Sequence, residues 1–249
     1  MPAAGLLRDF ADERAWSPAP HETHHQAIEK QPFVMTRQST LFNLFPLGLA
    51  AMVGACLADA SDDEGGNQET EVISTVRLTF TPTGGGTPVI AAFRDPDGDG
   101  GVSGTAERLA LVDATTYTMT AQFLNELVDP PADITVEVRE EAEDHQVFVF
   151  GSAVRGPATD ENPDALVEHS YADAESDYTD DTGEDLAVGL SSTVTVVATG
   201  SAELEVMLRH LPSLNGEPQK VRGLADALAA GGPLPGEVDA HVKFQVTVR

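Results

Sequence analysis

Of the 249 residues only one is cysteine and one is tryptophan, and 14 basic residues stand against 41 acidic ones. Each shortage excludes something. A single cysteine, Cys56, cannot close an intramolecular disulfide, and it cannot supply the several thiolates of a cysteine-rich metal site. The scarcity of Lys and Arg leaves a formal charge of −27. Such a field repels nucleic acid and anionic lipid headgroups, so neither is expected as a partner. No uninterrupted apolar run reaches the roughly 20 residues that a membrane-spanning helix needs. The most apolar stretch, Leu41 to Ala55, is broken by Pro46, Gly48 and Gly54, each of which weakens a helix.

What that stretch does have is context. Met35, Thr36 and Arg37 precede it, Val53-Gly54-Ala55-Cys56 ends it, and Asp59, Ser61, Asp62, Asp63, Glu64, Gly65 and Gly66 follow. A cationic start, an apolar segment of secretory length and small residues before the break are the parts of an export signal. The order is similar to a bacterial lipoprotein signal, in which the cysteine is lipidated and becomes the first residue of the mature chain. A buried core helix is the competing reading, but Phe42, Leu44, Phe45, Leu47 and Leu49 would leave it almost no polar face. The expected organisation is therefore an N-terminal extension over 1–34, a signal peptide over 35–55, an acidic flexible tether over 56–70 and one folded domain over 71–249. A signal peptide that starts at Met35 has ordinary proportions, so translation is expected to begin there. Residues 1–34 then read as a non-native or disordered extension, and the metal-like spacing of His21, His24 and His25 carries no weight. From Cys56 onward the chain holds 36 acidic and 10 basic residues, a net −26 over 194 positions. Contact with the membrane would have to come from the lipid on Cys56, since there is no basic patch to provide it.

After the tether the pattern is period two. Val72, Ser74, Val76, Leu78 and Phe80 share one face, with Thr75, Arg77 and Thr79 opposed. The same alternation returns in Tyr117, Met119, Ala121 and Phe123, in Leu204, Val206 and Leu208, and in Val242, Phe244, Val246 and Val248. These are half-buried strands. Val89 to Phe93, Val147 to Phe150 and Val188 to Val197 are further strands. Pro82 to Gly86, Asp95 to Gly101, Gly156-Pro157 and Gly200-Ser201 punctuate the runs, and the last of these predicts a tight hairpin. Asp133 to Asp144 is ambiguous between strand and helix. Gln219 to Ala230 predicts a short surface helix that ends at Gly231-Gly232-Pro233. Many strands and few helices give an all-β fold: an antiparallel β-sandwich, Ig-like or similar, with one or two short helices, and a β-barrel as the alternative.

The stretches EVISTVRLTFTPTGGGTPV, FRDPDGDGG, TTYTMTAQFLNE, EDHQVFVF, VGLSSTVTVVATGSAELEVMLRHLP and VKFQVTVR, in that order, resemble a family of small bacterial lipoproteins often labelled as type 1 periplasmic binding fold proteins. The resemblance covers roughly Glu71 to Arg249. It implies a lipidated cysteine, an acidic tether and a β-rich domain, and it brings no activity with it. The loop from Asn215 to Gly236 is enlarged relative to that pattern. A two-lobed α/β binding protein would need alternating strands and helices and a much longer chain, and neither is present here.

Chemistry is concentrated in Asp95-Pro96-Asp97-Gly98-Asp99-Gly100-Gly101-Val102. Carboxylates at relative positions 1, 3 and 5, a glycine at 6 and an apolar residue at 8 match the first half of a calcium loop. Position 12 is Ala106, and Glu107 lies one place late. The candidate calcium ligands are Asp95, Asp97, Asp99, Gly101 and Glu107; a solvated acidic turn is the plain alternative. A second acidic segment, Asp173 to Asp185, reads as a charged, mobile loop. Gly151-Ser152-Ala153 lacks the second glycine of a nucleophile elbow, and Gly84-Gly85-Gly86 lacks the Lys-Ser/Thr of a phosphate loop. His145, His169, His210 and His241 are scattered, which favours strand-end histidines satisfied by backbone. Two of them within ligand distance of each other would support a hydrolase. No catalytic residue and no organic cofactor is expected; calcium is the one candidate cofactor. Cys56 is the candidate lipidation site, with the membrane as its partner. The expected role is a non-catalytic envelope lipoprotein, a binding or interaction module of the outer membrane, which Leu57 after the cysteine favours. The alternative is a periplasmic ligand-binding component of a transport system. The protein or small molecule that it meets is not written in the sequence.

Overall fold

Alternation at period two builds the fold strand by strand. In the first strand, β1 (Thr75–Pro82), Val76, Leu78 and Phe80 are fully buried while Arg77 and Thr79 stay partly open. In β5 (Thr116–Asn125), Tyr117, Met119, Ala121 and Phe123 turn inward. The two pair antiparallel in a register that opposes Leu78 to Ala121 and Phe80 to Met119, so the apolar faces coincide. The computed structural model describes residues 72–98, 104–159, 161–180 and 182–249, all within the unit Asp63–Arg249. Cys56, the apolar run and the tether lie outside the described residues.

The remaining strands are β2 (Val89–Arg94), β3 (Thr105–Ala106), β4 (Leu109–Leu111), β6 (Ala132–Asp133), β7 (His145–Phe150), β8 (Val154–Arg155), β9 (Val167–Tyr171), β10 (Ser191–Val196), β11 (Gly200–His210) and β12 (Glu237–Val248). One sheet runs β3-β2-β1-β5-β10-β9-β8, with β6 also on β5; the other runs β4-β12-β11-β7. The protein is all-β, as the alternation predicts: the first sheet curls into a half-barrel and the second sheet completes the fold. Two pairings depart from a purely antiparallel scheme, because β4 runs parallel to β12 and β8 runs parallel to β9. The hairpin expected at Gly200-Ser201 does not form. β10 and β11 belong to different sheets, and Gly200 and Ser201 are the first two residues of β11, paired with Val248 and Thr247. A glycine between two alternating runs marks a sharp change of direction, and period two does not reveal whether the next strand stays in the same sheet.

The principal core lies between the sheets, where Phe80, Tyr117 and Phe123 of the first meet Leu204, Leu208, Phe244 and Val246 of the second. Burying each such side chain contributes on the order of 1.5–3 kcal/mol. A second cluster, Phe148, Ala158, Met207, Leu211 and Leu224, covers the outer face of β7 and β11. Its Leu224 comes from helix α2 (Leu224–Ala229), inside the span predicted for a surface helix. That cover explains why β7 is buried on both faces and reads as a continuous apolar run instead of an alternating one. The ambiguous segment resolves as helix α1 (Thr135–Glu140) followed by a 3₁₀ turn, Ala142–Asp144. Helical spacing sends Val138 inside and leaves Val136 exposed, whereas a strand would have placed both on one face. Thr135 ties α1 to β5: its hydroxyl accepts the Phe123 N–H at 2.9 Å and donates to the Phe123 carbonyl at 3.2 Å.

The sheets are also joined by backbone. Val188 accepts the N–H of Val147 in β7 at 2.7 Å, and Leu190 accepts that of Ala121 in β5 at 3.0 Å. Gly189 between them has φ +85°, and a Cβ there would lie 2.6 Å from the Val147 carbonyl oxygen. Only glycine fits this crossing. Three of the four outer strands of the two sheets are short: β3 and β8 have two residues each and β4 has three, while β7 has six.

Candidate functional site

The most chemically dense region of the second sheet is the end where β7 begins and β11 stops. His145 opens β7 and His210 closes β11, and the two are register partners. Both share a parity with the inward-facing residues of their strands, so the imidazoles meet at the rim of the core. Their rings stack with centroids 4.7 Å apart and planes 6° from parallel. Glu141, just past α1, approaches the pair, and one ligand atom from each of Glu141, His145 and His210 lies within 4.8 Å of the other two. His145 Nδ1 is 3.0 Å from the Glu141 carbonyl oxygen. A carbonyl only accepts, so Nδ1 carries the hydrogen and Nε2 is left with a free lone pair. His145 is buried, which pulls its pKa down to about 4 and keeps the ring neutral.

Carboxylates crowd the same place. Partial desolvation raises the pKa of the exposed Glu141 carboxyl from its ordinary value, and the charges of Glu137, Asp144 and Glu143 push it the same way. Across the strands a bulge interrupts the ladder between the pairs Leu208–Ala240 and Arg209–Val238, which leaves Asp239 as the extra residue. Burial pushes Asp239 up to about 6 against the opposing influence of His210. Arg209 beside it is committed to backbone, donating to the carbonyls of Leu234, Pro235 and Gly236 at 2.8–3.2 Å.

Behind this rim a buried ion pair fixes the surrounding loops. Lys220 Nζ lies 2.8 Å from Glu175 Oε1, with about 1 % of either side chain exposed, and it donates to the Ala142 carbonyl at 2.6 Å. One ammonium thus joins the 215–236 loop, the 3₁₀ turn after α1 and the acidic 173–185 segment. Desolvation lowers the Lys220 pKa, and Glu175 opposes that shift. The acidic segment, expected as a charged and mobile loop, is bonded by its own carboxylates. Asp173 accepts the N–H groups of Gly189 and Ser191 and the hydroxyl of Tyr178, each at 2.8 Å. Asp177 accepts the Ala174 N–H and Asp185 the Ser176 N–H, both at 2.9 Å.

The other two histidines stand apart. His169 Nε2 is 2.9 Å from Ser192 Oγ, and both side chains are buried. This is the one Ser–His contact among the described hydrogen bonds, yet the fully buried Ser192 is out of reach of a substrate. Burial holds His169 at about 4. Beside it on the first sheet lies a depression of about 280 Å³ lined by Arg155, Glu168, His169, Ser170, Thr193 and Thr195. His241 meets Glu205 at 2.8 Å and packs against the ring of Phe150.

The candidate calcium residues are only partly brought into view. Asp95 is buried at the end of β2, and Gly98, at φ +68°, makes the turn; a Cβ there would lie 2.8 Å from Val72 and Leu127 side-chain atoms. Asp99 and Gly101 lie outside the described residues, as does Cys56. Glu107 is engaged elsewhere: it pairs with Arg94 at 2.9 Å and accepts the Ala92 N–H at 3.1 Å, clasping the chain after β3 to β2. That engagement lowers its pKa. Sequence reasoning set His145 and His210 apart as separate strand ends. The missing signal was register, because a 65-residue separation gives no hint that the two strands pair with these residues opposite. No family model, curated protein or solved structure matches the chain.

Proposed function

We propose that this protein is a lipid-anchored module of the cell envelope, held at the outer membrane through Cys56, which presents its β domain as a binding or interaction surface without catalysing a reaction. The observation that carries this reading is the order of parts: apolar run, small residues, Cys56, acidic tether, and then a β domain whose first strand opens at Thr75. Lipid on a single cysteine is an anchor that a strongly acidic chain could not obtain from its own side chains. Structural calcium at Asp95, Asp97 and Asp99 belongs to the proposal, with Glu107 reserved for Arg94 and Ala92. A transport-linked ligand-binding component is the second reading, and the polar depression beside His169 is the observation in its favour.

The test is membrane partition in a bacterial host that processes lipoproteins. Wild-type protein is expected in the detergent phase, labelled by a fatty-acid probe, and Cys56→Ser is expected in the aqueous phase without label. Retention of the serine variant in the detergent phase would remove the anchor. The nearness of His145 and His210 favours a hydrolase as a further reading, and turnover of a model ester or phosphoester that disappears in His210→Gln would put it in place of the non-catalytic one.

A further inference from the structure

We infer that Glu141, His145 and His210 form a binding site for one divalent cation of the zinc class. Three features of the site support this, each independent of the anchor. The first is the donor set: two imidazoles and one carboxylate, contributed by β7, β11 and the end of α1, whose ligand atoms already lie within 4.8 Å of one another. Two nitrogens bound at 2.0–2.1 Å to a common tetrahedral ion stand roughly 3.3 Å apart. An imidazole lone pair lies in the ring plane and the two rings are stacked 6° from parallel, so with His145 held at Nδ1 the half-buried His210 has to turn out of the stack to share the ion.

The second feature is the hydrogen bond that orients His145. Metal-binding histidines donate their non-ligating N–H to a carbonyl or carboxylate, which fixes the tautomer and aims the other nitrogen. His145 Nδ1 makes this contact with the Glu141 carbonyl. The same residue thus orients one ligand through its backbone and offers another through its side chain.

The third feature is the negative charge of the surroundings. Glu137, Glu143 and Asp144 surround Glu141, and Asp239 faces His210 from the bulge in β12. Of the cations nearby, Lys220 is paired with Glu175 and Arg209 is committed to the carbonyls of Leu234, Pro235 and Gly236. A dication between the imidazoles and Glu141 would relieve the repulsion among these carboxylates. Imidazole with carboxylate suits zinc, copper, nickel and cobalt better than calcium or magnesium, which prefer all-oxygen shells. This site is therefore distinct in position and in chemistry from the Asp95–Gly101 turn.

The experiment is a zinc titration of the full chain by calorimetry at pH 7 in a buffer that does not chelate the metal. It is paired with nitrogen NMR of the histidine rings and repeated for Glu141→Gln, His145→Gln and His210→Gln. Wild type is expected to take up one equivalent tightly and to show the Nε2 resonance of His145 displaced together with a ring nitrogen of His210. Each variant is expected to lose at least about tenfold in affinity. Glu141 is exposed, so its variant should keep the zinc-free melting temperature. Should a histidine variant fail to fold, the wild-type resonances decide. Absence of stoichiometric uptake overturns the inference, as do unchanged affinity in the variants or displacement confined to other histidines such as His21, His24 and His25.

Discussion

At the scale of the residue, burial sets the chemistry of the histidines more than charge does. His169 sits between Ser192 and the edge-on ring of Tyr171 and is held near 4, whereas the same side chain in the unfolded chain titrates at about 6.5. Between those two values the unfolded chain binds a proton that the folded chain refuses. The sign follows from linkage: the native state is fully favoured above pH 6.5 and loses stability as the pH falls toward 4. His169→Gln removes that one proton from the balance. Urea unfolding of both proteins from pH 7 to pH 4 should show the wild type losing stability more steeply, by up to about 1.4 kcal/mol per pH unit at the steepest point. Parallel curves would mean that His169 is protonated in the native state.

At the scale of the element, one side chain decides how three loops sit. Lys220 reaches Glu175 and Ala142 from the 215–236 loop, and Glu175 Oε2 is a buried oxygen with no hydrogen-bond partner. The pair is thus incompletely satisfied, and the literal cost of breaking it differs from its net worth. Lys220→Met, which strands the carboxylate, should lower unfolding stability by about 3–5 kcal/mol, while Lys220→Met combined with Glu175→Leu should recover most of the loss. A double variant as unstable as the single one would show that the loops depend on the ion pair itself. The elements differ in how far the sequence discloses them. β1, β5, β11 and β12 were legible because one face of each is polar and the other packs into the core. β7 was legible as an apolar run, but the cover over its outer face by Phe148, Met207 and Leu224 was not. The two-residue strands β3, β6 and β8 carry no pattern long enough to read. The candidate site was legible only in its parts: histidines at strand ends could be named, but their pairing depends on register, and Asp239 on a bulge that no local residue announces. Lys220 resembled any surface lysine until its partner 45 positions away was in place.

At the scale of the whole molecule, the excess of acid is a constant opposing term. Self-repulsion among like charges disfavours the compact state, and added salt screens it over about 8–10 Å. Sodium chloride is expected to raise the melting temperature of the full chain. Calcium at matched ionic strength should raise it further if the Asp95–Gly101 turn holds the ion, and that increment should vanish in the paired Asp97→Ala and Asp99→Ala variant yet persist in Glu107→Gln. An increment that survives the paired variant reduces the segment to a turn. The sheet margins have a last consequence. Exposed strand edges are templates on which a second copy can add itself, and from which fibres grow. Here β3, β8 and β4 are too short to offer more than two or three residues, and β7 has its Val147 N–H already taken by Val188. A neighbouring copy would thus find two or three residues to pair with on β3, β8 or β4, and the six-residue β7 is the outer strand on which it would find most.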